Sequence, residues 1–166
     1  MKSSSDLTRM LTRYKAWADD LTYQMAAALP WEEIVKERPT TFKTIGHTLQ
    51  HIAIVDEIFR AHLENRGHGY SRRTVETLPS MDDLRRRAKE LNGWWIDYAD
   101  RLTDDAAAQP VDFTYVNGDP GRMTGLEIVL HVVQHATYHR GYVDDMMYQV
   151  PVTPPATDLT VFLQER

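Results

Sequence analysis

Four long stretches of the chain repeat their apolar residues every three to four positions, which is the period of an amphipathic α-helix. The predicted helices run from about Ser5 to Leu29, from Thr41 to Asn65, from Met81 to Thr103 and from Thr124 to Gln149. Pro30, Gly67 and Pro151 lie just beyond three of these stretches, where such residues stop helices. We therefore expect an all-α protein built as a four-helix bundle.

Residues that cap helices mark the predicted beginnings. We expect N-caps at Ser4 or Ser5, at Thr40 or Thr41, and at Ser80. Thr124 followed by Glu127 predicts a capping box at the start of the last long helix.

The connections between these helices differ in character. The segment from Arg66 to Pro79 is long and polar. The segment from Val111 to Met123 alternates apolar and polar residues and then contains turn residues, so it predicts a small two-stranded β-ribbon. Residues from Asp158 to Leu163 are expected to add a short C-terminal helical turn.

The second predicted helix is apolar over much of its circumference. Ile54 and Ile58 form a second stripe beside the one that includes Ile45 and Asp56. Such a helix is either central in a bundle or shared with a partner chain, which predicts a homodimer. A buried carboxylate at Asp56 would need a partner, such as an arginine or a tyrosine of another helix.

Length and composition narrow the class of protein. The 166 residues fit a single domain that spans residues 1–166, with 42% hydrophobic and 26% charged residues. The net charge of -5 argues against a nucleic-acid partner, because no basic excess is present to neutralise phosphates. The absence of cysteine excludes disulfides, thiolate metal sites and a cysteine nucleophile. No signal-peptide pattern or membrane span is evident, so a cytoplasmic location and no membrane partner are expected.

Histidines on the last predicted helix carry the clearest chemistry. His131, His135 and His139 are spaced by four residues, and the last two fall at the centre of the apolar stripe. Neighbouring buried imidazoles resist protonation, and neutral imidazoles at this spacing suit a shared metal ion. The competing interpretation is a pair of core histidines that hydrogen-bond to other protein groups.

A metal would need a third ligand from another helix. The second predicted helix offers His47, His51 and His62, of which His51 is well placed among apolar neighbours. His47 lies one turn earlier and could replace it. Three histidine ligands leave coordination positions open, which is typical of a catalytic site rather than a closed structural one.

Other polar and aromatic residues are candidates for roles near such a site. Arg140 is expected to pair with a structural acid, or else with a substrate carboxylate. Trp17, Trp94 and Trp95 are expected in the core or at an interface. Three tyrosines could bring a hydroxyl to the metal cavity, with the last of them best placed: Tyr14, Tyr138 and Tyr142.

The chain resembles the DinB family, including its YfiT-like branch, over nearly its whole length. The matching pieces are YKAWAD (14–19), TIGHTLQHIAIVDEIF (44–59), LEIVLHVVQHATYHRGYVDDMM (126–147) and VPVTPPATDLTVFL (150–163). The spacing HxxxHxxxHRG is the most specific of them. The chain departs from the family at Gln134, where asparagine is frequent, and this position is not a ligand.

The resemblance implies a four-helix bundle that holds a divalent transition metal, nickel or zinc, on three histidines. Carried onto this sequence, the ligands are His51, His135 and His139. It also implies a homodimer and a metal-dependent enzyme that acts on a small molecule. Thiol-dependent S-transfer is the first expectation and hydrolysis the second, with a small-molecule thiol as a partner. The alternative is a non-enzymatic stress-response or ligand-binding dimer with a structural metal.

Overall fold

The computed structural model describes residues 3–150 and 152–164, and it confirms a mostly helical protein with one small antiparallel sheet. The long helices are α1 (Ser4–Ala27), α3 (Ile45–Leu63), α4 (Met81–Arg101) and α6 (Gly125–Tyr148). The shorter elements are α2 (Trp31–Val35), α5 (Asp104–Ala107), β1 (Pro110–Thr114), β2 (Pro120–Thr124) and α7 (Leu159–Gln164). Among the described helices, none combines the length and apolarity that crossing a bilayer requires.

Two of the predicted N-caps are confirmed and two are wrong. Ser80 caps α4, and Thr124 forms the predicted capping box at α6. Helix α1 is instead capped by Ser3, whose hydroxyl accepts a hydrogen bond from the backbone N–H of Asp6. The carboxylate of Asp6 receives the backbone N–H of Ser3 in return, so this reciprocal pair fixes the helix start.

Helix α3 begins later than predicted, because the chain first makes a turn. Lys43 has a positive φ of 62°, and its N–H donates to the carbonyl of Thr40 at 3.1 Å. These residues therefore lie outside the helix, and neither Thr40 nor Thr41 is the cap. Thr44 takes that place, and its hydroxyl accepts from the backbone N–H of His47.

The predicted β-ribbon is confirmed. Strands β1 and β2 pair in an antiparallel register, from Pro110 opposite Thr124 to Thr114 opposite Pro120. The ring of Phe113 lies against Gly121, where a β-carbon would overlap it. Helices α2 and α5 were not predicted, because five and four residues are too few to display a helical period.

Ion pairs and hydrogen bonds between helices establish the direction of each. Helix α1 runs antiparallel to α4, since Arg13 pairs with Asp100 and Asp20 with Arg85. It also runs antiparallel to α3, since Lys15 meets Asp56 while Tyr23, later in α1, donates its hydroxyl to the carbonyl of Leu49, earlier in α3.

Helices α3 and α4 are therefore parallel, and the chain must return along the bundle between them. Residues 64–80 make that return, which explains why the connection between α3 and α4 is long. We call this segment the return segment. It passes over the face of α3 that carries His51.

The interior face of α1 is more polar than the sequence pattern predicts. The apolar period of this segment predicts that one face of α1 is buried. Tyr14 and Ala18 of that face are buried. Its other members, Leu7, Leu11, Leu21 and Met25, are only partly buried, whereas these polar residues are buried: Thr8, Thr12, Lys15, Asp19 and Thr22. The helix is rotated so that charged side chains enter the bundle. Trp95 is fully buried as predicted, while Trp17 and Trp94 pack at the edge of the core.

A buried network of charges, which we call the charge network, joins all four long helices. The Lys15 ammonium donates to Asp19 and Asn92 at 2.8 Å and to Asp56 at 2.5 Å. The Arg140 guanidinium donates to the other oxygen of Asp19 at 2.7 Å. Two cations thus balance two carboxylates. The prediction of a structural acid for Arg140 is confirmed, whereas the partner of Asp56 is a lysine rather than an arginine or a tyrosine.

Candidate metal centre

The antiparallel packing of α3 against α6 brings together three histidines. Nε2 of His51 lies 2.9 Å from Nε2 of His135, and the ring centroids of His135 and His139 are 4.5 Å apart. One potential ligand atom from each of the three residues lies within 4.8 Å of the others. In residues 3–150 and 152–164, this is the one such group of ligand-type side chains.

The cluster is enclosed by protein on several sides. His51 is 2% exposed and His139 is 7% exposed. The ring of Phe42, from the turn before α3, stacks on His51 at a centroid distance of 4.1 Å and presents its edge to His139 at 5.3 Å. Contacts from both helices and from this turn therefore hold the rings in place.

The return segment supplies a polar contact to the cluster. The backbone carbonyl of Arg73 lies 2.8 Å from Nδ1 of His51. Since a carbonyl oxygen can only accept, Nδ1 of a neutral His51 carries the hydrogen and Nε2 keeps its lone pair. That lone pair faces His135.

Burial keeps these imidazoles uncharged. Burial, together with His51 and His139, lowers the pKa of His135 to about 2. Burial and the charge that His51 would carry lower the pKa of His139 to about 4. Burial also lowers the pKa of His51, although its hydrogen bond to the Arg73 carbonyl opposes that effect. Metal ligation requires neutral imidazoles, and these are neutral at pH 7.

The donor set fits a transition metal on two further observations. A nitrogen separation of 2.9 Å matches a hydrogen bond, and it also matches two ligands at about 90° to each other around a metal at metal–nitrogen distances of about 2.05 Å. Nδ1 of His135 and Nδ1 of His139 are buried and have no hydrogen-bond partner among the described residues. Two core histidines whose hydrogen bonds are all satisfied by protein would not leave these atoms unpaired. The three-histidine group could therefore hold a metal ion.

The other candidate histidines lie outside the cluster. Nδ1 of His47 is 2.8 Å from the hydroxyl of Thr44, so this side chain belongs to the helix cap. His62 stacks on Phe113 at 4.7 Å, and His131 lies beside the ring of Phe59 at 4.5 Å. The structure thus favours His51 over His47 as the third member.

The tyrosines have different surroundings. The Tyr14 hydroxyl donates to the carbonyl of Thr157 at 2.9 Å, so it is engaged away from the cluster. The hydroxyls of Tyr138 and Tyr142 lie 2.7 Å apart, and the ring of Tyr142 is 6.1 Å from that of His139. Of the predicted tyrosines, Tyr138 and Tyr142 are therefore near the cluster and Tyr14 is not.

Sequence reasoning missed three contributors to the site. Phe42 and the Arg73 carbonyl come from irregular segments, where no periodicity indicates which way the chain faces. Lys15, whose charge also helps to lower the pKa of His135, is not part of the apolar pattern of the first helix. The one indication in the sequence was the spacing of Lys15 and Asp19, which suits an ion pair within a helix.

Comparisons with known proteins identify the family and the fold. The chain is similar to Protein DinB of Bacillus subtilis (strain 168), with 25% identity over 168 residues that cover 96% of this chain and 95% of that protein. Its fold is similar to the crystal structure of a DinB-like protein from Bacillus cereus ATCC 10987, with a TM-score of 0.64 and 20% identity, covering 84% of this chain and 90% of that one. The model of the DinB family matches residues 1–166, so the chain belongs to the DinB family.

Proposed function

We propose that this DinB-family chain is a metal-dependent enzyme that uses nickel or zinc on His51, His135 and His139. The observation that carries the proposal is the convergence of three neutral imidazoles from two helices. Neutral imidazoles that converge in this way are suited to share one divalent transition metal.

Each neighbouring group has a role in this proposal. The Arg73 carbonyl holds His51 in the tautomer that leaves Nε2 free, and the Phe42 ring fixes the orientation of the imidazole. Burial shields the side chains of His51 and His139 from bulk solvent. When bound by three neutral imidazoles, a divalent metal retains its positive charge and supplies Lewis acidity, which lowers the pKa of a bound water or thiol.

The first reaction that we propose is thiol-dependent S-transfer on a small molecule, and the second is hydrolysis. Support comes from the family resemblance and from a cavity that opens beside His135. The alternative is a structural metal in a ligand-binding protein. Thermal unfolding combined with turnover assays, described below, distinguishes this alternative from an enzyme.

The test is elemental analysis of the full chain purified without a histidine tag. We expect about one equivalent of nickel or zinc per chain, and we expect its loss in His51→Ala and His135→Ala. His47→Ala is the matched control, because it removes a histidine one turn away that bonds to Thr44. Retention of metal by both ligand variants would contradict the proposal.

Thermal unfolding gives an independent measurement. Metal at a hundred times its Kd should stabilise the folded chain by about 2.7 kcal/mol, which corresponds to a rise in Tm of about 5–11 °C. We expect this rise in the wild type and in His47→Ala, and no rise in His135→Ala. If metal raises Tm while thiol-conjugation and hydrolase substrates show no turnover, the structural alternative is correct.

We further propose that the chain acts as a cytoplasmic homodimer. The family resemblance supports the dimer, as do the exposed aromatic side chains of Trp31, Tyr138 and Tyr148. The lack of cysteine is consistent with a reducing compartment. Light scattering at micromolar concentration should give twice the mass of the 19.2 kDa chain, and a monomeric mass would contradict the dimer.

A further inference from the structure

A cavity of about 430 Å³ opens beside the histidine cluster and reaches His135. One wall is apolar and aromatic, with Val55, Ile58 and Phe59 from α3. The ribbon contributes Tyr115, and the return segment contributes Arg72 and Arg73. This volume lies in the range of small-molecule sites, and the combination of an apolar wall with a few polar groups is typical of them.

The lining of this cavity carries positive charge without a matching negative charge. Its residues include two arginines, Arg72 and Arg73, and no aspartate or glutamate. The Arg72 guanidinium is 3.8 Å from Glu76, but both side chains are largely exposed, at 77% and 93%. The Arg73 guanidinium makes no ion pair with any residue of 3–150 or 152–164.

Arg73 also lies beside the histidine cluster. Its backbone carbonyl is 2.8 Å from Nδ1 of His51. A metal on three neutral ligands would add further positive charge at the same end of the cavity. Arg73 is an exposed residue, and an unpaired guanidinium beside a cavity favours a negatively charged occupant.

We infer that this cavity binds a small organic carboxylate, with its apolar or aromatic body against α3 and its carboxylate on the guanidinium of Arg73. The guanidinium offers two parallel N–H donors that match the two carboxylate oxygens. The inference rests on the proposed function in one respect, since the cavity ends on the proposed ligand His135. It assigns the substrate class that the metal site would act upon.

The experiment compares phenylacetate with its neutral analogue phenylacetamide by calorimetric titration of the untagged, metal-loaded full chain. The two probes share an aromatic body and differ in charge. We expect phenylacetate to bind more tightly, and we expect Arg73→Ala to weaken its binding roughly tenfold to hundredfold. That substitution removes the guanidinium but leaves the backbone carbonyl that accepts from His51.

Two further variants make the result specific. Arg73→Lys keeps the charge but loses the paired donors, so we expect an intermediate affinity for phenylacetate. Arg86→Ala removes an exposed arginine of α4 that pairs with Asp83, and we expect it to bind phenylacetate as the wild type does. Equal binding of the two probes, no binding of phenylacetate at millimolar concentration, or wild-type affinity in Arg73→Ala would each overturn the inference.

Metal content, measured on the same samples, separates this inference from the proposed function. If the chain binds metal but does not prefer phenylacetate, the carboxylate site is wrong and the metal site stands. If phenylacetate binds in an Arg73-dependent manner to a chain that takes up no metal, the carboxylate site stands and the metal-dependent function is wrong.

Discussion

Replacement of Lys15 by methionine should expose how much the charge network contributes to stability. The methionine keeps most of the aliphatic length but removes an ammonium that donates to two carboxylates and one amide oxygen. Asp19 would keep Arg140 and Asn92 as partners. Asp56 would keep none, because its second oxygen already lacks one among the described residues.

The expected cost follows from that difference. A buried ion pair that loses one member destabilises a protein by about 3–5 kcal/mol. For a chain of this size, that loss corresponds to a fall in Tm of about 6–20 °C. It is a large part of the total stability of a typical domain, about 5–15 kcal/mol.

The loss should also depend on pH in a definite direction. Burial already raises the pKa of Asp56 to about 6 in spite of Lys15, and removal of the ammonium should raise it further. A carboxyl whose pKa is higher in the folded state than in the unfolded state stabilises the fold when protonated, and that stability is lost as pH rises through the folded pKa. The deficit of Lys15→Met relative to the wild type should therefore be smallest near pH 5 and grow above pH 6.

Urea unfolding at several pH values measures this effect. Lys89→Met is the matched control, because Lys89 is exposed on α4 and its loss should change the free energy of unfolding by less than about 0.5 kcal/mol. Asp56→Asn in the Lys15→Met background should recover stability at pH 8, since no charge is then left unpaired. The reasoning is refuted if Lys15→Met behaves like Lys89→Met, or if its deficit is the same at every pH.

Three further substitutions probe the contacts around the site, the ribbon and an open position on α4. The buried Gln50 side chain hydrogen-bonds to two backbone groups of the return segment, which also carries the carbonyl that accepts from His51. Gln50→Ala should therefore weaken metal binding roughly tenfold in a calorimetric titration. Unchanged affinity would show that the return segment keeps its position without Gln50. Gly121→Ala should destabilise the fold by about 1–3 kcal/mol in urea, because the added methyl meets Phe113. Gly93→Ala places a methyl in open space on α4 and should be stabilising by up to about 1 kcal/mol, so similar effects of the two glycine substitutions would contradict this packing argument.

Local features of the chain were predictable from the sequence because they depend on neighbouring residues. The apolar period of 3.6 predicts the long helices, and the capping box at Thr124 marks the start of α6. His135 and His139 share one helix face, since four residues make little more than one turn. These features were predicted correctly, and so was the ribbon, whose alternation and turn residues are also local.

The choice of a third histidine needed more than local pattern. Helical geometry alone allows either His47 or His51 to face α6, and the family resemblance favoured His51. The contact between the antiparallel helices α3 and α6 brings His51 to His135, while His47 bonds to the Thr44 cap. That these three histidines bind metal stays a prediction.

By itself, then, the sequence determined which segments are helical and which residue types each helix can present. Tertiary structure alone decided which way α1 faces, because burial of Lys15 is favourable only when carboxylates from elsewhere in the bundle surround it. It likewise decided that Phe42 and the Arg73 carbonyl enclose His51. The physical reason is the same in both cases: the energy of a buried charge or imidazole depends on partners that lie far away in sequence, and no local period records them.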